Sequence, residues 1–143
     1  MRLLISLILL LSSTNLFAPK FFRQYELPWP IQNPRVTQNF KGKDHDGLDM
    51  ISFISKEVKS VENCKVVEIS KTINSTPRII CKSELFEYHY LHIFPLVKVN
   101  DEIKSGQLIA YYNNEGNSNG AHLHLIMINN LTREFLNPII YLK

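Results

Sequence analysis

The chain has 143 residues, of which 45% are hydrophobic and 20% are charged, and its formal net charge at pH 7 is +3. This length fits one domain with one core, and the hydrophobic fraction excludes an intrinsically disordered chain. Because the positive excess is small and Lys and Arg are scattered, we expect no nucleic-acid partner.

The chain begins with a segment typical of an export signal. Arg2 supplies a positive charge, residues 3–11 are apolar apart from Ser6, and a short polar stretch follows. The apolar run is too short for a comfortable transmembrane helix. We therefore expect residues 1–18 to form an export helix, either a signal peptide or an N-terminal membrane anchor, and the protein to be exported to the periplasm, the cell envelope or the medium. An N-terminal core helix is the alternative.

Residues 19–35 contain three prolines between Pro28 and Pro34, and we predict an extended lead-in there. From Val36 onward, short β-rich runs alternate with turn signals, and no window shows helical periodicity over three turns. The predicted strands are residues 36–40, 65–69, 78–81, 86–93, 107–112 and 122–128. Residues 123–128 are apolar on both faces apart from the histidine, so we predict a central strand there, with core on one side and a specific feature on the other. This pattern predicts an all-β, antiparallel, sandwich or barrel-like single domain over residues 36–143.

The two cysteines, Cys64 and Cys81, lie in consecutive predicted strands that flank a predicted turn at residues 74–77. In an exported protein such a pair favours one disulfide, and two separate buried thiols are the alternative. An antiparallel pairing would bring them opposite each other, although the turn is centred slightly late for that register. Two cysteines are too few for a cysteine-based zinc site.

Two short motifs carry candidate metal ligands. Residues two or four apart share one face of a strand, so we predict His45 and Asp49 on one side of their strand and His122 and His124 on one side of theirs. Gly47 leaves room for a metal between the first two. Zinc binds imidazole nitrogen and carboxylate oxygen, and catalytic sites use three protein ligands plus a water. His45, Asp49 and one histidine of the second pair would supply them, with the other histidine beside the metal for proton transfer. Calcium or magnesium would need more oxygen ligands.

Taken together, the motifs resemble those of the lysostaphin/LytM-like zinc metallopeptidases, in the family's order from about residue 36 to residue 128. The matching segments are His45-Asp46-Gly47-Leu48-Asp49, Tyr90-Leu91-His92-Ile93, and the loop Gly116-Asn117-Ser118-Asn119-Gly120-Ala121 leading into His122-Leu123-His124. The resemblance implies a fold of the duplicated hybrid motif type. It also implies one Zn²⁺ per chain, held by His45, Asp49 and His124, and catalytic roles for His122 and His92.

The activity implied by the resemblance is that of a zinc metalloendopeptidase, a peptidoglycan hydrolase that attacks cell-wall peptides through a zinc-activated water. No His-Glu-x-x-His motif places a glutamate as base, so His122 and His92 would transfer protons, in a division that spacing leaves open. His89 lies outside the matching pattern, and we interpret it as structural. We expect a monomer whose partners are peptidoglycan peptides.

Two other functional classes are compatible with parts of this pattern. A non-catalytic, zinc-containing regulator or binding protein of cell-wall enzymes would need neither His92 nor His122, so their presence argues against it. A metal-free β-sandwich adhesin or inhibitor would leave four histidines and an aspartate patterned by chance.

Overall fold

The computed structural model describes residues 25–71 and 76–143. The predicted export helix at residues 1–18 and half of the predicted turn at residues 74–77 lie outside these ranges. Within them the chain forms strands, turns and one short 3₁₀ helix, Pro138–Ile140, with no α-helix. The described part of the chain also contains no helix with the length and hydropathy needed to cross a lipid bilayer.

Eleven strands are found in the described residues. In chain order they are β1 (Arg35–Gln38), β2 (Leu48–Ile51), β3 (Glu57–Lys59), β4 (Cys64–Lys71), β5 (Pro77–Lys82), β6 (Phe86–Leu91), β7 (Ile93–Pro95), β8 (Glu102–Ile103), β9 (Leu108–Tyr112), β10 (Leu123–Asn129) and β11 (Phe135–Leu136).

The strands form two antiparallel sheets. The larger has eight strands in the order β1-β2-β10-β6-β5-β4-β8, with β11 also paired to β10, and the smaller has the order β3-β9-β7. One hydrophobic cluster contains residues of both sheets, such as Leu48 of β2, Tyr88 of β6 and Val58 of β3. The prediction of an all-β, antiparallel single domain is therefore confirmed.

Strand β10 occupies the middle of the larger sheet, between β2 and β6. Its residues Leu123, Leu125 and Met127 are at most 1% exposed and belong to the core. Because side chains alternate along a strand, His124 and Ile126 lie on the opposite face. The sequence predicted this arrangement, a central strand with core on one side and a histidine on the other.

One predicted strand is interrupted. Residues 86–93 were expected to be continuous, but β6 ends at Leu91 and β7 begins at Ile93. His92 between them has a φ of 59°, in the left-handed region, so the alternation of side chains stops there. Strands β3, β8 and β11, each two or three residues long, were not predicted because so short a run has no readable periodicity.

The predicted disulfide between Cys64 and Cys81 is present, with the two Cα atoms 5.6 Å apart. The antiparallel pairing of β4 and β5 sets Val66, not Cys64, directly opposite Cys81. The cysteines are therefore diagonal neighbours on one face, which accounts for the late position of the turn in the sequence.

Candidate metal centre

The register between β2 and β10 creates the centre of the site. Asp49 and His124 are directly opposite each other in the ladder, and His124 Nδ1 lies 2.6 Å from Asp49 Oδ1. His45 approaches from the turn before β2, with its Nε2 3.2 Å from Asp49 Oδ2. One nitrogen or oxygen atom from each of the three residues lies within 4.8 Å of the others, so this group could hold a metal ion.

His45 reaches this cluster by a route that differs from the prediction. We expected His45, Gly47 and Asp49 on one face of a continuous strand, but β2 begins only at Leu48. His45 instead closes a tight turn in which its carbonyl accepts a hydrogen bond from Lys41 N. Its Nδ1 lies 2.8 Å from the Asn39 carbonyl oxygen, so Nδ1–H donates there and Nε2 faces Asp49.

The two predicted proton-transfer residues lie beside the cluster. His122 Nε2 is 3.6 Å from Asp49 Oδ1, and the rings of His92 and His122 have centroids 4.5 Å apart. The structure thus brings together His45, Asp49, His92, His122 and His124. The remaining histidine, His89, which was interpreted as structural, lies outside this group, with its Nε2 2.7 Å from Glu87 Oε1.

Backbone carbonyls of the loop before β10 orient the imidazoles of His92 and His122. His92 Nδ1 lies 2.8 Å from the Glu115 carbonyl oxygen, and His122 Nδ1 lies 2.8 Å from that of Gly120. Donation from Nδ1–H to a carbonyl leaves Nε2 as the nitrogen that can accept a proton. Sequence reasoning missed these carbonyls because a backbone acceptor has no residue signature.

Thr76 anchors this loop to the neighbouring end of β5. Its hydroxyl accepts a hydrogen bond from Asn117 N at 3.2 Å. Gly116 has a φ of +85° and packs so closely on Thr76 that a Cβ there would overlap it. The close contact explains why a glycine stands at this loop position.

A second carboxylate, from Asp46, also contacts the cluster. Asp46 Oδ1 lies 3.1 Å from His124 Nε2, on the opposite side of the imidazole from Asp49. In the strand predicted at residues 45–49, the side chain of Asp46 would point to the face opposite His45 and Asp49. It reaches His124 because this segment is a turn, so the sequence pattern gave no signal for the contact.

The charges of the cluster favour a bound cation. Burial lowers the pKa of His124, but hydrogen bonds to Asp46 and Asp49 outweigh it and raise this pKa to about 9. Burial raises the pKa of Asp49, yet its hydrogen bond to His124 and the nearby imidazoles leave this pKa below its usual range. The pKa of His92 is lowered, chiefly by burial, so its imidazole is neutral at pH 7.

The donor set fits a zinc ion. Two imidazole nitrogens and one carboxylate oxygen are ligands that Zn²⁺ takes in catalytic sites, where a fourth position stays open. A carboxylate that stabilises a proton on a neighbouring imidazole also stabilises a divalent cation between the two groups. Gly47 packs so closely that a Cβ would lie 2.7 Å from His124 Nε2, so only glycine lets this ring lie where it does.

The cluster opens onto a cavity of about 680 Å³. The residues that line it include His92, His122 and polar residues of the loop before β10. A cavity of this size accommodates a short peptide segment or a small molecule. The candidate metal site is therefore accessible to a substrate.

Comparison with known proteins agrees with this geometry. The model of Peptidase family M23 matches residues 43–138. Glycyl-glycine endopeptidase ALE-1 of Staphylococcus capitis is 30% identical over 125 residues, which are 81% of this chain and 32% of that protein. The chain thus spans about a third of the length of this relative.

Solved structures share the fold. A zinc-containing peptidase from Vibrio cholerae has a TM-score of 0.70 at 23% identity, covering 78% of this chain and 39% of that chain. The catalytic domain of the antimicrobial peptidase lysostaphin from Staphylococcus simulans has a TM-score of 0.60 at 26% identity, covering 80% and 85% respectively. The resemblance to the lysostaphin/LytM-like peptidases that the motifs indicated is confirmed.

Proposed function

This chain belongs to peptidase family M23, and we propose that it is a zinc-dependent endopeptidase that hydrolyses peptide bonds in bacterial cell-wall peptidoglycan. One observation carries the proposal. A His-Asp-His cluster with the donor chemistry of a catalytic zinc site lies on an open cavity, with two further imidazoles beside it.

We assign His45, Asp49 and His124 as the ligands of one Zn²⁺ per chain. The nitrogen atoms that face Asp49 are Nε2 of His45 and Nδ1 of His124, and these are the atoms available to a metal. A bound Zn²⁺ would polarise the scissile carbonyl and lower the pKa of a bound water to about 7.

His122 and His92 take the proton-transfer roles. Each has Nδ1–H donating to a backbone carbonyl, so each turns a basic Nε2 toward the cavity. His122 is the nearer to Asp49 and is the better placed to accept a proton from the attacking water. His92 is neutral at pH 7 and, once protonated, can stabilise negative charge on the carbonyl oxygen or return a proton to the leaving amine.

The proposed substrate class follows from the relatives. ALE-1 is by name a glycyl-glycine endopeptidase, and lysostaphin is an antimicrobial peptidase. Peptide bonds between small residues in peptidoglycan are therefore the substrate we propose. We propose also that residues 1–18 direct export, that they can serve as a membrane anchor, and that the protein acts as a monomer.

Single substitutions separate the proposed ligand from the proposed base. His122→Ala should lower the rate of peptide cleavage by about 10²–10⁴-fold while zinc stays bound, because His122 moves a proton and does not ligate the metal. His124→Ala should lose both zinc and activity. The measurements are metal analysis and the release of new amino groups from peptidoglycan.

His89→Gln is the matched control, since glutamine can still donate a hydrogen bond to Glu87 and the residue lies outside the cluster. Equal activity of wild type and His122→Ala would refute the catalytic assignment. A wild-type protein that binds zinc but cleaves no peptidoglycan would instead favour a non-catalytic regulator of cell-wall enzymes.

A further inference from the structure

We propose that Asp46 is a positioning residue for the metal centre, whose carboxylate holds the His124 imidazole so that Nδ1 is presented to the ion. This inference rests on the proposed function, in which His124 is a zinc ligand. It concerns a residue that neither binds the metal nor contacts the substrate.

The two nitrogens of His124 have different partners. Nδ1 faces Asp49 Oδ1 at 2.6 Å, inside the candidate metal cluster, whereas Nε2 faces Asp46 Oδ1 at 3.1 Å. A neutral imidazole that gives one nitrogen to a metal carries its proton on the other. Asp46 therefore accepts a hydrogen bond from Nε2–H in the tautomer that metal binding requires.

The position of Asp46 excludes a direct role in the reaction. Its carboxylate is separated from Asp49 by the His124 ring, and Asp46 is not among the residues that line the cavity. Its side chain is 46% exposed, whereas that of His124 is 11% exposed. Asp46 thus reaches the buried ligand from the solvent side and can act on the reaction only through His124.

The turn that contains Asp46 holds the ring from a second direction. Gly47 packs against it, and a Cβ at that position would lie 2.7 Å from Nε2 and 2.9 Å from Cε1. Asp46 and Gly47 are consecutive, so one short segment fixes both the plane of the ring and the direction of its N–H. The ring is therefore held in place by contacts that do not involve the metal.

His45 and His124 differ in the partner of the outer ring nitrogen, the one that does not face Asp49. The outer nitrogen of His45 donates to a neutral acceptor, the Asn39 carbonyl, whereas that of His124 donates to a carboxylate. A carboxylate acceptor makes an imidazole a stronger donor of electron density to a metal than a neutral carbonyl does. Asp46 therefore strengthens the binding of zinc through His124.

The test measures zinc affinity in the full chain by competition with a chromophoric chelator at neutral pH. Loss of an outer carboxylate typically weakens metal affinity by about 10–100-fold, and this is the expected effect of Asp46→Ala. Asp46→Asn should weaken affinity less, because its amide oxygen still accepts a hydrogen bond and only the charge is lost. Asp44→Ala, two residues earlier and exposed in the same turn, is the control and should leave affinity unchanged.

The outcomes distinguish this inference from the proposed function. Wild-type affinity in Asp46→Ala, with zinc bound to the wild type, would overturn the role of Asp46 and leave the zinc site intact. Equal weakening in Asp46→Ala and Asp44→Ala would overturn it as well, because the effect would then be a general one on the turn. No zinc binding by the wild type would overturn both proposals. If Asp46→Ala does not fold, judged by its far-ultraviolet circular dichroism, Asp46→Asn decides, and an affinity equal to wild type would contradict the inference.

Discussion

At the scale of single residues, Gly47 has little freedom to change. It is buried where the turn enters β2, with the His124 ring on one side and the Leu125 carbonyl on the other. A Cβ would lie 2.6 Å from that carbonyl oxygen and 2.7 Å from His124 Nε2, closer than real Cβ contacts allow. The φ of Gly47 is not in the left-handed region, so its backbone conformation does not require glycine. Glycine is required because the His124 side chain leaves no room for a Cβ.

Gly47→Ala should consequently displace His124 and weaken zinc binding, and it should also lower the free energy of unfolding. Inserting a methyl group into a packed site typically costs about 1–3 kcal/mol. Metal analysis and urea unfolding measure the two effects. Gly120→Ala is the control for both, because an added Cβ there has no neighbour within 4 Å. An alanine variant with wild-type zinc content and stability would show that the turn relaxes freely.

His92 is the second constrained residue, with a left-handed backbone that costs a non-glycine residue about 1–3 kcal/mol. Two hydrogen bonds maintain it, from His92 N to the Pro77 carbonyl at 3.1 Å and from Asn113 N to the His92 carbonyl at 2.7 Å. This conformation ends β6 and places the imidazole against His122. The strained residue, His92, is the one at which the alternation of side chains between the two faces of the sheet stops.

At the scale of elements, strands β4 and β5 are joined both by their ladder and by the Cys64–Cys81 disulfide, which closes a loop of 17 residues in sequence separation. Because a crosslink restricts the unfolded chain, its removal should lower the free energy of unfolding by about 3 kcal/mol. Urea unfolding with and without a reductant measures this difference. The double variant Cys64→Ser/Cys81→Ser should unfold alike in both conditions. If complete reduction of the disulfide left the free energy of unfolding of the wild type unchanged, the expectation would be contradicted.

Strand β6 is linked to the turn between β10 and β11, at the end of β10 away from the metal centre, through the charged group of Glu87, His89 and Arg133. Glu87 is only 8% exposed, and its oxygens lie 2.7 Å from His89 Nε2 and 3.1 Å from Arg133 Nη1. Burial raises the pKa of Glu87, but the hydrogen bonds from Arg133 and His89 outweigh it and lower this pKa below its usual value.

This depressed pKa has a defined consequence for stability. A carboxylate with a lower pKa in the folded state stabilises the fold above its unfolded pKa of about 4.3, and this contribution is lost as the pH falls through the folded pKa. The free energy of unfolding of Glu87→Gln should therefore fall less between pH 7 and pH 3 than that of the wild type. Glu84→Gln, at an exposed glutamate nearby, is the control and should retain the wild-type pH dependence. Identical profiles for Glu87→Gln and wild type would contradict the role of Glu87.

At the scale of the whole molecule, the sequence predicted what depends on local pattern. The apolar run at residues 123–128 predicted a central strand. The spacing of the motifs predicted His45, Asp49 and one histidine of the 122/124 pair as candidate ligands, and the family resemblance pointed to His124. The β2–β10 register brings His45, Asp49 and His124 together. The turn that carries His45 could not be distinguished from a strand, since the motif is too short to have a periodicity. Asp46 was missed for the same reason.

Other parts of the site depend on contacts distant in sequence. The carbonyls of Glu115 and Gly120 orient His92 and His122, and the loop that carries these carbonyls is itself anchored on Thr76, about forty residues earlier. Pairing of distant segments is decided by the packing of the complete fold, which a single sequence does not display. Motifs therefore predicted which residues meet, whereas the backbone carbonyls that orient them are apparent only in the structure.

We propose that this chain cleaves cell-wall peptides with the help of a bound zinc ion. The most direct test incubates the purified protein with peptidoglycan in three states: zinc-loaded, stripped by a chelator, and stripped and then supplied again with zinc. Mass spectrometry identifies the fragments released. We predict new peptide ends with the zinc-loaded protein, none with the stripped protein, and recovery when zinc is restored. Intact peptidoglycan in the presence of zinc-loaded protein, or cleavage that continues unchanged after the metal is removed, would contradict the account.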